Sequence, residues 1–339
     1  MKVNILTKCK RRAKLPYKQN GKVVYSPELF STGVKNMVLS DGMKIFLADF
    51  SLMLTALFWG LGFVAMKDAL DSFPTFWLLV LRFSSGAALM AIVFRKRLAG
   101  VSFHDLKAGV IIGVFLFLGF STQTLGLNYT TPGKQAFLTA TYVVIVPLLS
   151  WVIRRRFPGI LSFIASVVCL AGMAMLTLQE GLAVGAGDTL TLVCAVFFAC
   201  HILAIEHFAA KTDPVILAII QIFTVGMLSF PFALAFETWP GFNGGSGLWS
   251  IAFTVLFCTV FAFAAQNVAQ KFTPSTHTAI ILSLESLFGA LAGIYFVGEI
   301  FTARMAAGCA LILAAVLLTE TGPALAKAFS GRLPAGEKP

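Results

Sequence analysis

The sequence predicts an all-α, polytopic membrane protein: ten transmembrane helices arranged as two inverted five-helix repeats. Three observations carry this prediction. Hydrophobic residues make up 58% of the 339 and charged residues only 12%, against roughly 45–50% and 25% in a soluble domain. Apolar runs of about 20 residues, enough to cross a bilayer, follow one another almost without pause. The second half of the chain also echoes the first.

Taken in order, the spans read as 45–66, 75–94, 108–128, 133–153, 159–178, 188–208, 214–236, 248–269, 275–298 and 301–320. The connections are short and carry turn residues: Phe73-Pro74, Thr131-Pro132-Gly133, Phe157-Pro158-Gly159, Asp213-Pro214 and Thr273-Pro274. They leave no room for a soluble domain between helices. The chain therefore divides into a basic N-terminal tail (1–44), a first repeat (45–178), a second repeat (188–320) and a C-terminal tail (321–339). The N-terminal tail is polar and basic, unlike a cleavable signal peptide, and has no acidic residue before Glu28. The expectation is that translation begins at Met37 or Met43; the other reading is a basic arm that binds lipid or targets an organelle.

If the spans alternate sides, 22 of the 26 Lys and Arg fall on one face, and the opposite loops hold only Lys67, Lys134 and Arg304. The positive-inside rule then places both termini in the cytoplasm, with the protein in the plasma (inner) membrane. The net charge of +11 does not imply nucleic acid as a partner, because the basic residues sit in short clusters between apolar runs and not along one helix face.

The repeat shows in Ala56-Leu57-Phe58-Trp59-Gly60 against Ala195-Val196-Phe197-Phe198-Ala199, and in Tyr129-Thr130-Thr131-Pro132 against Lys271-Phe272-Thr273-Pro274. Five spans per half is an odd number, so the second copy enters the membrane upside down relative to the first. Inverted repeats give two mirror-related openings around one midplane site, as alternating access requires.

Competing classes lack their marks. The six cysteines form no CxxC pair and have no His at zinc-site spacing, which reads as small core residues with no metal site and no cofactor. Gly133-Lys134-Gln135 lacks the loop glycine of a phosphate-binding motif, and neither HExxH nor GxSxG occurs. The reading is therefore not an enzyme, and the alternatives to a carrier are a membrane-embedded enzyme or accessory subunit on a transporter-like scaffold, or a passive channel. A channel would be expected to show a filter motif or a ring of charges, and neither is visible.

Ionisable groups inside a span are costly, so each is a functional candidate. Arg82 lies about 12 Å from the Pro74 end of the second span, either binding an anionic substrate group or anchoring helices by hydrogen bonds. Glu285 lies at the middle of the ninth span. It either pairs with Arg82 at the same depth, or binds a substrate amine or carries a coupling proton. Glu299, Glu206 and His207 read as interfacial, and Asp49 as a side chain reaching back to water. His201 is mid-span and reads as a hydrogen-bonded core histidine. Gln123, Tyr142, Gln221, Gln266, Asn267 and His277 are neutral polar groups on five spans that line one pathway in this reading, with Trp59 as part of its wall. Gly109/Gly113 and Gly289/Gly293 have GxxxG spacing for close helix approach.

Three stretches carry a family resemblance. Phe58-Trp59-Gly60-Leu61-Gly62-Phe63-Val64-Ala65-Met66-Lys67 with Leu81-Arg82-Phe83 resembles the opening of the drug/metabolite transporter superfamily, EamA family. The stretch from Gly119-Phe120-Ser121-Thr122-Gln123-Thr124 through Tyr142 to Val146-Pro147, and that from Gln266 through Glu285 to Gly298-Glu299, are similar to its two repeats. The resemblance covers about 45–320 and implies a secondary carrier that exports small metabolites such as amino acids or toxic analogues. It also implies binding or architectural roles for Arg82, Glu285 and Glu299, with Pro147 and Glu299 as structural or gating residues. Two departures stand out: Leu61-Gly62 replaces a Ser-Asn pair, and Ser286 replaces a proline, which predicts a straighter ninth helix. The partners implied are a small-molecule substrate, a coupling proton and the lipid bilayer; a homodimer stays open.

Overall fold

A computed structural model of the chain describes residues 17–19, 22–24, 40–155, 157, 159–177, 185–241, 246–292, 294–295 and 302–330. The chain divides into two units, 1–42 and 43–339. In the first, strands β1 (Tyr17–Gln19) and β2 (Lys22–Val24) pair antiparallel, Tyr17 opposite Val24. This small hairpin has no counterpart in the helical sequence reading. Glu299 lies outside the described residues, as does Gly293 of the second GxxxG pair.

The membrane part is helical throughout its described residues. The first three spans are α1 (Asp41–Ser72), α2 (Thr75–Val93) and, after a basic turn α3 (Arg95–Leu98), α4 (Phe103–Leu127). The fourth is divided into α5 (Pro132–Ala140) and α6 (Tyr142–Arg154), and the fifth is α7 (Ile160–Thr177). The second half follows with α8 (Ala186–Ala209) and α9 (Pro214–Phe236). Next come α10 (Ser246–Val255) and α11 (Ala262–Ala269), joined by a π-helical segment, Leu256–Phe261. The ninth span is divided into α12 (Ser275–Leu282) and α13 (Leu284–Ala292), and α14 (Ala303–Ser330) closes the chain. Among the described residues, every one of the ten expected spans has its helix.

Local chemistry sets the helix ends. Ser102 and Asp105 form a reciprocal capping box on α4, with Asp105 N donating to Ser102 Oγ (3.2 Å) and Ser102 N to Asp105 Oδ2 (2.9 Å). Thr131 and Asp213 cap α5 and α9, each followed by a proline at the first helical position. The start of α2 has no side-chain cap of its own. The Glu237 carboxylate, at the end of α9, takes up the Phe76 and Trp77 amides at 2.9 and 3.0 Å, matching an anion to a helix N-terminus across the two halves.

The divided spans correct two expectations. Both begin at Thr-Pro and both break at the ninth residue after the proline, Thr141 in one and Ser283 in the other. The two breaks share a hydrogen-bond pattern. Thr141 Oγ1 donates back to the Leu138 carbonyl and Ser283 Oγ to that of Ile280, both at 2.6 Å, competing with the regular backbone ladder as hydroxyls do inside helices. The ninth span is thus interrupted despite Ser286 in place of a proline. The π segment likewise breaks the uniform eighth helix read from the sequence.

The packing follows the inversion. Helix α2 lies along α9, α7 along α14, α5 against α13 and α6 against α12, so each of these spans meets its own counterpart, with the fourth and ninth antiparallel. Gly109 and Gly113 let α4 approach α9 closely: a Cβ on either would sit 2.5 Å from Ile220 or Thr224. Gly60 does the same for α1, where a Cβ would fall 2.7 Å from the Glu285 carbonyl. Large apolar side chains such as Ile92, Phe223, Met227, Leu234 and Trp249 point outward, a surface suited to lipid.

Candidate functional site

Between the halves, near the breaks in the fourth and ninth spans, lies a cavity with about 670 Å³ of empty space including its mouth. Trp59, Arg82, Gln123, Tyr142, Gln266 and Glu285, all singled out in the sequence, line it. His201 lines it as well, although the sequence placed it in the core. Gln221 stands one step behind, its Oε1 2.6 Å from His201 Nε2. His277 is half-buried near the start of α12 and is not among the lining residues, and Pro147 is buried inside α6.

Arg82 and Glu285 both reach the cavity but do not ion-pair with each other. Arg82 is 2% exposed. Its Nε donates to Thr259 Oγ1 (2.8 Å) and its Nη2 to the Cys258 carbonyl (3.2 Å), with Nη1 3.4 Å from Met66 Sδ. The rings of Phe120 and Phe83 lie 4.8 and 5.0 Å from its guanidinium carbon, favourable contacts for a desolvated cation. Glu285, 3% exposed, accepts from Tyr142 OH at 3.0 Å. The mutual neutralisation that the sequence allowed is therefore absent, and each charge is held by neutral groups.

The π segment explains how Arg82 is held. A π turn leaves carbonyls out of the regular i to i−4 ladder. The Cys258 carbonyl, inside that segment, accepts both from Arg82 and from Trp59 Nε1 (2.9 Å). Thr259 accepts from Arg82 and donates to the Thr254 carbonyl at 2.9 Å, five residues back. Sequence reasoning missed these two residues because nothing in an apolar run marks a π turn.

The repeat register does mark others. Asp49 and Asp188, Trp59 and Phe198, Gly62 and His201, Phe63 and Ile202, and Arg82 and Gln221 are each 139 positions apart. Trp59 and Phe198, Gly62 and His201, and Phe63 and Ile202 all line the cavity, which is what a site on a pseudo-twofold axis requires. Extending the repeat alignment residue by residue would have found Phe198 and His201.

The ends of the helices bind the halves together. At the face carrying the clustered Lys and Arg, here the basic face, Asp49 Oδ1 accepts from Thr273 Oγ1 at 2.7 Å. Asp49 is thus engaged with the other half and does more than reach for water. Also at this face, Glu206 pairs with Arg154 at 2.6 Å and accepts from Ser275 Oγ. At the far face, Asp188 pairs with Lys134 at 2.6 Å and accepts from Thr130 Oγ1 (3.3 Å) and Gly185 N (2.8 Å). Among the described residues, no group of three or more His, Cys, Asp or Glu is placed to hold a metal ion.

The comparisons agree with this architecture. The model of the EamA-like transporter family matches twice, over residues 46–178 and 185–321. An "uncharacterized transporter" of Archaeoglobus fulgidus is 35% identical over 293 residues, covering 85% of this chain and 90% of its own. A second from the same organism is 28% identical, covering 79% and 95%. A solved structure described only as "crystal structure of protein" superposes with a TM-score of 0.67 at 18% identity, covering 80% of this chain and 96% of its own; it supports the fold.

Proposed function

The chain belongs to the EamA-like transporter family and is a membrane transporter, and we propose that it is a secondary carrier exporting small polar or amphipathic metabolites, such as amino acids or toxic analogues, by alternating access. The observation that carries this reading is the pair of matched breaks. The fourth span of one half and the ninth of the other are interrupted at equivalent residues, and Tyr142 and Glu285, just past the breaks, meet across the cavity. Interrupted helices at corresponding positions of inverted repeats are where carriers of this architecture bind substrate.

In this reading Arg82 takes an anionic group of the substrate, since the buried guanidinium has no carboxylate partner among the described residues. Glu285 takes the coupling proton or a substrate amine, with Tyr142 passing from one to the other. The cluster of Trp59, Phe120, Phe198 and Phe263, with ring centroids 5.2–6.1 Å apart along it, forms an apolar wall for the rest of the molecule. Asp49–Thr273 and Asp188–Lys134 act as gates on opposite faces, each tying the first span of one half to the entry of the fourth span of the other. The basic face is cytoplasmic, both termini with it, in the plasma membrane.

Reconstituted proteoliposomes test the carrier. Preloaded unlabelled compound from an amino-acid and drug panel should drive saturable counterflow of its labelled form, which a channel does not show. Glu285→Gln, a fixed mimic of the protonated side chain, should remove the pH dependence of net transport while counterflow persists. Unchanged pH dependence would remove Glu285 from the coupling.

A further inference from the structure

Carbonyl oxygens without partners lie along one stretch of the eighth span. Gln266 is fully buried, lines the cavity, and has neither Nε2 nor Oε1 hydrogen-bonded. One turn on, on the same helical face, Gln270 is 3% exposed; its Nε2 donates to the Ile202 carbonyl at 2.9 Å and its Oε1 has no partner. Asn267 between them repeats the pattern: Nδ2 donates to the Phe263 carbonyl at 2.8 Å and Oδ1 is left over. The orientation of Gln270 and Asn267 is fixed by chemistry, because a backbone carbonyl accepts only from the NH2 end of an amide. The unmet groups on both are therefore oxygens.

We infer that Gln266 and Gln270 form an accepting file from the cavity to the basic face, along which ligand groups bearing N–H or O–H donors pass. This rests on the carrier reading. A buried acceptor without a partner is costly and an apolar side chain of similar size avoids that cost, so two on one face, one of them in the cavity wall, point to a visiting donor. The file continues outward. Ser275 Oγ shares the Ile202 carbonyl with Gln270 and also donates to Glu206 at the basic face. The repeat positions on the far side are Thr124 and Asn128, 142 residues earlier. There Asn128 is exposed, and its Nδ2 donates to Thr75 Oγ1 (3.1 Å) and the Thr124 carbonyl (3.3 Å), so the buried open acceptors lie towards the basic face. Gln266 also offers its unpartnered Nε2 to an acceptor on the same ligand, but both residues offer a neutral oxygen, which takes a donor without demanding a charge, so the class of group is an amine, ammonium, amide N–H or hydroxyl.

Thiol labelling tests the file without knowledge of the substrate. Gln266→Cys, Gln270→Cys and, as an exposed reference at the same end, Lys271→Cys are placed in sealed vesicles, with the native chain as baseline. Gln266→Cys removes two unmet polar groups, and Gln270→Cys removes one while giving up a bond to the Ile202 carbonyl that Ser275 Oγ still serves, so the variants should fold. Aminoethyl methanethiosulfonate, whose ammonium donates, is compared with its trimethylammonium analogue of equal charge and with the sulfonate. From the basic face, both file positions should react with the aminoethyl reagent about tenfold faster than with the trimethyl reagent, relative to Lys271→Cys. Labelling at Lys271→Cys alone overturns the file, and equal relative rates overturn the selection for donors. Counterflow with an unlabelled file sinks this inference and leaves the carrier; a labelled file without counterflow of any panel compound does the reverse.

Discussion

Asp49 and Asp188 occupy the same position in the two repeats, yet they make contacts of different chemistry at opposite faces. Asp188 meets a lysine: its side chain is 7% exposed and Lys134 only 30%, and a hydroxyl and a backbone amide add to the pair. Asp49 meets the Thr273 hydroxyl, and at the position matching Lys134 the second repeat has Thr276, which carries no charge. An ion pair that is partly buried and reinforced by a hydroxyl and a backbone amide is stronger than a hydroxyl–carboxylate hydrogen bond. Under the proposed carrier mechanism this difference predicts a tighter far gate and a resting state open towards the basic face. Inverted repeats supply two equivalent contacts by symmetry; single substitutions then make them unequal.

The largest effect is expected from Asp188→Asn, which strips the charge from the far gate and leaves Lys134 without its carboxylate. Thiol accessibility of the cavity from the far face should rise about tenfold, and net export should fall as the two openings lose their order. Lys134→Thr copies the second repeat into the first. It should shift accessibility the same way by about threefold to tenfold, with the exchange Lys134→Asp/Asp188→Lys restoring part of it; no shift would mean the gates are already equivalent. The smallest effect belongs to Thr273→Val at the basic face, where loss of one hydroxyl hydrogen bond should change the transport rate by about twofold to fivefold. A larger loss there than at Asp188 would reverse the ranking.

Much of the site was legible in the sequence because buried polar residues in an apolar span announce themselves. Arg82, Gln123, Tyr142, Gln266 and Glu285 were each visible on those grounds and lie around one cavity. What was not legible is who holds whom. Residues Arg82 and Glu285 look like a natural ion pair by depth, but a π turn 176 residues away in sequence draws the guanidinium to Cys258 and Thr259 instead. His201 looked like core; the repeat register pairs it with Gly62, and the fold places both on the cavity wall. Asp49 looked like a snorkelling side chain until Thr273 was seen above it.

By itself, the sequence determined the number of spans, their inversion and the identity of the polar groups left inside. These follow from hydrophobic length and from the parity of five, which need no coordinates. The tertiary structure alone decided the breaks at Thr141 and Ser283, the π turn under Arg82 and the unequal contacts of Asp49 and Asp188. Each depends on hydrogen bonds whose partners are chosen by packing, between residues close in space and up to 224 positions apart in sequence, or by competition within one helix turn that an apolar pattern does not record.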